Sequence, residues 1–219
     1  MADIPGRVED CYPDMPIRRC GIFGGSFDPV HRGHLVVAND VRASFSLDRM
    51  VFVPANRSPF KPEPGASGAQ RIEMVRLAID GLPWAHWSSV EVDRPAPSYT
   101  INTLLHFKAC LPETELFLII GADALAEFAG WRNPEGILDA ATLIAVARPG
   151  FTLDASGSLS ALLVGRQHRV VLHQTASPDT SSREVRARVR ERLPVGDHVP
   201  DAVAQYIGIS GIYRNQSGV

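Results

Sequence analysis

The chain has 219 residues, 45% hydrophobic and 21% charged, the make-up of a globular protein long enough to bury a core without crosslinks or metal staples. Its formal charge of -2 argues against a global basic field for nucleic acid, and it has no stretch of about 18 apolar residues to span a membrane. Cys11, Cys20 and Cys110 are widely spaced and odd in number, which argues against a disulfide framework or a zinc site of CxxC or Cys/His spacing and for a reducing, cytoplasmic setting.

Residues 1–18 hold acids, prolines and arginines but no apolar run, so they are expected as a flexible leader rather than a signal peptide, with 19–219 as one domain. A strand fits Cys20 to Phe23, closed by Gly24 and Gly25, followed by a helix from about Gly33 to Phe45. Met50 to Pro54 reads as a second buried strand, and Ala55 to Gly68, rich in proline and glycine, as a loop long enough to suspect function. Ala69 to Leu82 is helical by the recurrence of Ile72, Val75, Ile79 and Leu82. A third strand is expected over Ser88 to Val92, then a helix capped by Ser98 or Thr100. Leu116 to Ile120 and Leu143 to Ala147 are unbroken apolar runs suited to strands buried on both faces of a parallel sheet. Val170 to His173 is a last strand, and Ser182 to Leu193 and Pro200 to Ile207 are helices; Phe151 to Gly165 carries no clear pattern. Alternating strands and helices predict an α/β fold, a Rossmann-like doubly wound, mostly parallel sheet with helices on both faces and a helical C-terminal segment. Such sheets bind ligands beyond the carboxyl ends of the strands, where the strand order reverses.

The stretch Gly24-Gly25-Ser26-Phe27-Asp28-Pro29-Val30-His31-Arg32-Gly33-His34 joins the first strand to the first helix. Its glycines allow close backbone approach, and free N–H groups at the helix start favour phosphate. His31 and His34, three apart, share one side of that start and can donate hydrogen bonds to phosphate oxygens. It is not a P-loop, since no GxxxxGK[ST] is present. A second stretch, Thr180-Ser181-Ser182-Arg183-Glu184-Val185-Arg186, opens a late helix. Ser181 or Ser182 can cap it, and Arg186 can fork onto an anionic oxygen. Further along, Glu184 and Arg188 have i,i+4 spacing, so the arginine-rich run reads as a solvated helix face.

Read as a unit, GxFDPxHxGH resembles the signature of the nucleotidyltransferase superfamily that shares HxGH with class I aminoacyl-tRNA synthetases. The resemblance implies that His31 and His34 contact the phosphates of ATP and that no covalent enzyme intermediate forms. The second stretch resembles that superfamily's ISSTxIR, with Thr180, Arg183 and Val185 as departures. It implies phosphate-holding roles for Ser182 and Arg186; Arg183 either adds a contact or faces water.

Further segments are similar to those of bacterial nicotinate mononucleotide adenylyltransferases over nearly all of residues 18 to 214. They are Pro97-Ser98-Tyr99-Thr100, Ile120-Gly121-Ala122-Asp123-Ala124-Leu125, Trp131, Ala147-Arg148-Pro149-Gly150, and the tail from Val199-Pro200 through Tyr206-Ile207 to Gly211-Ile212-Tyr213. Singly, Trp131 also reads as a core aromatic, Asp123 and Thr100 as helix caps, and Arg148 as a residue facing water. In order and spacing they imply an enzyme that transfers AMP from ATP to nicotinate mononucleotide, with Mg2+ carried on the ATP phosphates. The ATP side would draw on Gly24, Gly25, Ser26, Phe27 and Gly33, then Gly121 and Asp123, then Arg148 and Ser182. His31, His34 and Arg186 would be catalytic. The mononucleotide would meet Lys61, Thr100, Trp131 and Arg132, the tryptophan stacking on the pyridine ring. Arg132 lies where the family reads the nicotinate carboxylate, and its charge would favour the acid over the amide. One departure is Ser58-Pro59-Phe60-Lys61 in place of Pro-Pro-His-Lys, which loses the histidine and keeps the cation. The phosphopantetheine enzyme is shorter and lacks the PSYT element and the tryptophan, and nicotinamide-preferring relatives usually have Asn in place of Asp28. A catalytically dead nucleotide sensor and a tRNA-binding protein are the rivals from other classes.

Overall fold

The computed structural model describes residues 17–57, 63–147 and 158–214. Strand β1 (Arg19–Gly25) leads into α1 (Arg32–Ser44), β2 (Arg49–Pro54) into α2 (Gly68–Ile79), and β3 (Ala85–Trp87) into α3 (Thr100–Cys110). Then come β4 (Glu115–Gly121), two short helices α4 (Ala122–Ala126) and α5 (Pro134–Ala140), and β5 (Thr142–Ala147). Helix α6 (Ser158–Leu163), β6 (Val170–Gln174), α7 (Ser182–Arg190) and α8 (Asp201–Ser210) complete the described chain.

The six strands form one sheet in the order β3-β2-β1-β4-β5-β6, and every neighbouring pair is parallel. This is the doubly wound arrangement expected from the alternation of elements, with its reversal of strand order between β1 and β4. Side chains alternate across the pleat. Phe23, Phe52, Phe117 and Ile119 pack with α1, α2, α7 and α8 on one face, while Ile22, Val51, Val53, Leu116, Leu118 and Ile120 pack with α3 and α5 on the other. Gly21 has a packing reason: an added Cβ would lie 2.7 Å from Met50 Sδ and 2.9 Å from Leu47 Cδ1.

Local chemistry sets most element ends. Ser67 caps α2 by accepting from the Gln70 N–H at 3.3 Å, while Gln70 Oε1 accepts from the Ser67 N–H at 2.9 Å. Asn133 caps α5 by accepting from Gly136 N–H at 3.1 Å, with Pro134 in the first turn. Gly211 ends α8 at φ 68°.

Three expectations need correction. The third strand is Ala85–Trp87, not Ser88 to Val92. Ser88 N–H makes the last ladder bond to Phe52 at 3.0 Å; its hydroxyl then accepts from Val90 N–H at 3.2 Å, and the Ser89 carbonyl accepts from Asp93 N–H at 2.9 Å in a turn. The Ser88 hydroxyl, competing for the backbone, ends the strand. Helix α3 has Tyr99 as its N-cap residue with no side-chain cap; Ser98 Oγ accepts instead from Asn56 N–H at 3.0 Å, and Thr100 is already helical. Glu184 and Arg188 take other partners: Arg188 donates to the Pro194 carbonyl at 2.8 Å, and Glu184 faces His198 at 3.8 Å. The expected leader lies outside the described residues except for Ile17 and Arg18, as does most of the patternless stretch, of which 158–165 begins with α6.

Candidate active site

Two cavities meet at the carboxyl ends of β1 and β4, and Gly24, Gly25, Ser26, Ile119, Ile120 and Gly121 line both. One runs toward β5 and the start of α7 and is walled by Phe27, His34, Asp123, Thr175 and Ser182. The other runs toward α3 and α5 and is walled by Glu91, Ser98, Thr100, Thr103, Trp131 and Arg132. Their shared rim is the switch point of the sheet, where an open α/β fold offers a crevice. A further hollow, lined by Ile17, Arg42, Ser46 and Asp48, opens at the opposite end of the strands and touches none of these residues.

At Gly24 and Gly121 an added Cβ would meet nothing within 4 Å. Internal packing therefore does not require glycine at either position, and the space above both is open. Gly25 and Gly33 differ: a Cβ would lie 3.1 Å from the Phe27 ring in the first case and 3.0 Å from His31 Nδ1 in the second. Phe27 is itself a wedge, 2% exposed at φ 45°, with its ring 5.5 Å from Phe23 and 5.0 Å from His34.

The imidazoles of His31 and His34 are stacked, centroids 3.6 Å apart and planes 23° from parallel. Two positive rings cannot sit so close without large repulsion. Burial, with the nearby His198 charge, pulls the His31 pKa down to about 4, so this ring is neutral at physiological pH. His34 Nδ1 accepts from the His31 backbone N–H at 3.2 Å, which puts the proton of a neutral His34 ring on Nε2.

Asp28 joins distant parts of the chain. Its carboxylate, 4% exposed, accepts from Gly65 N–H at 2.7 Å, Ala66 N–H at 3.0 Å and Tyr213 O–H at 2.7 Å. Arg186 Nη1 donates to the Asp28 carbonyl at 2.6 Å and lies 3.5 Å from Oδ2, while Ser182 O–H donates to the Pro29 carbonyl at 2.8 Å. The two motifs are thus bound to each other. Ser181, not Ser182, caps α7 by accepting from Glu184 N–H at 3.2 Å, so Ser182 stands in the first turn beside the cavity. Arg183 is exposed.

Arg71 is 1% exposed, and its guanidinium donates to four carbonyls: Ala66 at 3.2 Å, Ser26 at 2.8 Å, Ala55 at 2.6 Å and Asn56 at 3.1 Å. With Asp28 holding the N–H groups of Gly65 and Ala66, both ends of the loop after β2 are fixed to the first motif. Sequence reasoning missed Arg71, which stands in a helical pattern like a surface residue, and Glu91, which stands in the segment expected as a strand. No local signal marks either.

On the second side, Trp131 is half-buried with its ring 5.4 Å from Phe128, and the Arg132 guanidinium lies 4.5 Å over the Tyr99 ring. Thr100 opens α3 at the same cavity. Asp123 stands exposed in the first turn of α4, whose N-cap, Gly121, has no side-chain cap bond. Lys61, Phe60 and Arg148 lie outside the described residues.

A family profile described as cytidylyltransferase-like matches residues 22–188. A protein of Roseiflexus castenholzii named "Probable nicotinate-nucleotide adenylyltransferase" is 42% identical over 203 residues, covering 91% of this chain and 100% of that protein. One of the same name from Thermus thermophilus is 41% identical over 196 residues, covering 90% and 100%. Among solved structures, the nicotinic acid mononucleotide adenylyltransferase of Plasmodium falciparum complexed with NaAD superposes with a TM-score of 0.71 at 18% identity, covering 90% of this chain and 97% of that one. A likeness at that identity speaks to the fold.

Proposed function

Because the chain belongs to the cytidylyltransferase-like family, and within it to the nicotinate-nucleotide adenylyltransferases, we propose that it transfers AMP from ATP to nicotinate mononucleotide, giving nicotinate adenine dinucleotide and pyrophosphate on the route to NAD. The observation that carries this reading at the level of geometry is the pair of cavities meeting over Gly24, Gly25 and Gly121, with His34 on the wall of one and Trp131 on the wall of the other.

An oxygen of the mononucleotide 5′-phosphate attacks the α-phosphorus of ATP in line. The new P–O bond forms as the bond from the α-phosphorus to the bridging oxygen breaks, and pyrophosphate leaves with that oxygen. The nucleophile is already anionic, so no proton has to be removed, and the protein contributes positioning and charge stabilisation. In this reading His34 donates from Nε2 to the α-phosphate, and neutral His31 supports its ring by stacking. Ser182 and Arg186, with the N-terminus of α7, hold the departing pyrophosphate. For this the Ser182 hydroxyl must leave the Pro29 carbonyl, whereas Arg186 keeps spare N–H groups. Gly24 to Phe27, Gly33, Gly121, Asp123 and Arg148 serve ATP. Thr100, Trp131, Arg132 and Lys61 serve the mononucleotide. Stacking on Trp131 is worth roughly 1–3 kcal/mol.

Magnesium belongs to this reading as the ion carried by ATP, where it neutralises phosphate charge. Among the described residues no group of three or more His, Cys, Asp or Glu converges to hold a metal, so the donor set does not fit a protein-built cage and no step is routed through one. Among the described residues no helix is long and apolar enough to cross a membrane; a cytoplasmic setting is part of the proposal.

The test is pyrophosphate release from ATP and magnesium with nicotinate mononucleotide, run in parallel with nicotinamide mononucleotide. Preference for the acid is expected. No release with either would overturn the reading. His34→Ala should lose about 10²–10³ in kcat with little change in thermal stability; a rate within a few-fold of wild type would remove His34 from the chemistry.

A further inference from the structure

Glu91 has no part in the reaction just described, yet it stands in the wall of the mononucleotide cavity. It is 9% exposed, and burial pushes its carboxyl above the ordinary value despite the nearby Arg94 and Arg71 charges. A buried carboxyl beside a site for an anionic substrate is costly unless hydrogen bonds and nearby cations offset its burial. Thr103 O–H donates to its Oε1 at 2.6 Å, and the Ser98 side chain lies close enough to lower its pKa. Those two residues bracket Thr100, one on each side. Ser98 is held from behind as well: its Oγ accepts from Asn56 N–H at 3.0 Å, and its N–H donates to the Arg57 carbonyl at 2.9 Å.

The effect falls on the start of α3. Serine next to a helix start ordinarily turns its oxygen onto the first-turn N–H groups. Here the Ser98 oxygen accepts from Asn56 N–H instead, and the N-cap residue Tyr99 makes no side-chain cap. The first turn of an eleven-residue helix therefore faces the cavity without a side-chain cap of its own.

We propose that Glu91 is the positioning residue for the acid-reading end of the mononucleotide cavity: by gripping Ser98 and Thr103 it keeps the first turn of α3 uncapped and aimed at an anionic ring substituent. This rests on the reading that the nicotinate carboxylate binds near Thr100. Glu91→Gln keeps the acceptor for Thr103 but turns the other end of the side chain from acceptor to donor. Ser98→Ala removes the second half of the relay without touching Glu91.

Steady-state KM values for nicotinate mononucleotide, nicotinamide mononucleotide and ATP decide the matter on wild type, the two single variants and the double variant. The expected result is a roughly tenfold rise in KM for the acid in Glu91→Gln, the scale of one lost hydrogen bond to a charged group. KM for ATP should stay within twofold, and the acid/amide preference should fall. Ser98→Ala should do the same, and the double variant should be no worse than the worse single one, because both act through one relay. Thermal unfolding run on each protein separates a loss of fold from a loss of positioning. Equal rises for acid and amide, or additive effects in the double variant, would overturn the proposal. A wild-type enzyme that does not prefer the acid would instead overturn the reading on which it rests.

Discussion

Replacing Arg71 by lysine keeps the charge and most of the length but not the fork. In the native protein Nη1 alone serves the carbonyls of Ser26 and Ala55, at 2.8 and 2.6 Å, while Nε and Nη2 serve Ala66 and Asn56, at 3.2 and 3.1 Å. A lysine ammonium placed near Nη1 can hold the first pair. It cannot also reach the second, since its donors leave from one atom. The buried Ala66 carbonyl and the half-buried Asn56 carbonyl then lose their donor at about 1–3 kcal/mol each, the second toward the low end, a total of about 2–4 kcal/mol. That is a large share of the roughly 5–15 kcal/mol by which domains are stable. Urea unfolding of Arg71→Lys should show a midpoint shift of that size with an unchanged slope. The loop after β2 would also loosen at both ends, so kcat/KM for the mononucleotide should fall before unfolding begins. A variant within 0.5 kcal/mol of wild type, on the order of an ordinary surface substitution, would refute the argument that these four bonds act as a clamp.

Three other outcomes are expected. His31 and His86 are both held near pKa 4 against an ordinary 6.5, chiefly by burial. Between those values the unfolded chain binds protons that the native state refuses, so stability should drop as pH falls from 6.5 toward 4, by on the order of 2 kcal/mol per histidine at pH 5; a urea midpoint that is flat from pH 7 to pH 5 would contradict this. Gly21→Ala brings a methyl within 2.7 Å of Met50 Sδ and 3.0 Å of Ile119 Cδ1, for about 1–3 kcal/mol of overpacking and a fall in Tm of about 2–12 °C, and calorimetry finding no fall would show that the sulfur yields freely. Arg132→Ala removes the cation over Tyr99 and should narrow the acid/amide preference; an unchanged ratio would assign that preference to backbone N–H groups alone.

The sheet was legible because its signals are local. Leu116 to Ile120 and Leu143 to Ala147 can only be apolar throughout if both faces are covered, and they form β4 and β5 in the centre. The expected strand at Ser88 failed because periodicity does not register a hydroxyl competing for the backbone, and the assignment of Ser98 as a cap failed because the competing donor, the Asn56 N–H, comes from another segment. Helix α5 carried a readable start in Asn133-Pro134, but its seven residues are too few for a periodic pattern. The candidate site divides in the same way. Gly24 to His34 is contiguous, so its chemistry is written in one place, and the fold brings it to the same crevice as Ser182, Thr100 and Trp131. Arg71, Glu91 and Tyr213 acquire their partners only through tertiary structure, and nothing in their neighbours along the chain foretells a guanidinium with four carbonyls or a phenol on a carboxylate.

The bond between Asp28 and Tyr213 spans 185 positions, and this separation has a meaning in time. At ordinary rates of translation, about 5–20 residues per second, the carboxylate emerges roughly 10–40 s before the hydroxyl that completes its shell. Throughout that interval the nascent protein carries an aspartate meant for a dry niche while the niche still lacks a wall. A chain released early, between Gln174 and Tyr213, keeps every strand of the sheet yet leaves that wall open to water. The residue that closes the niche around Asp28 is thus made after every strand of the sheet, and a closed niche certifies that synthesis has run through it.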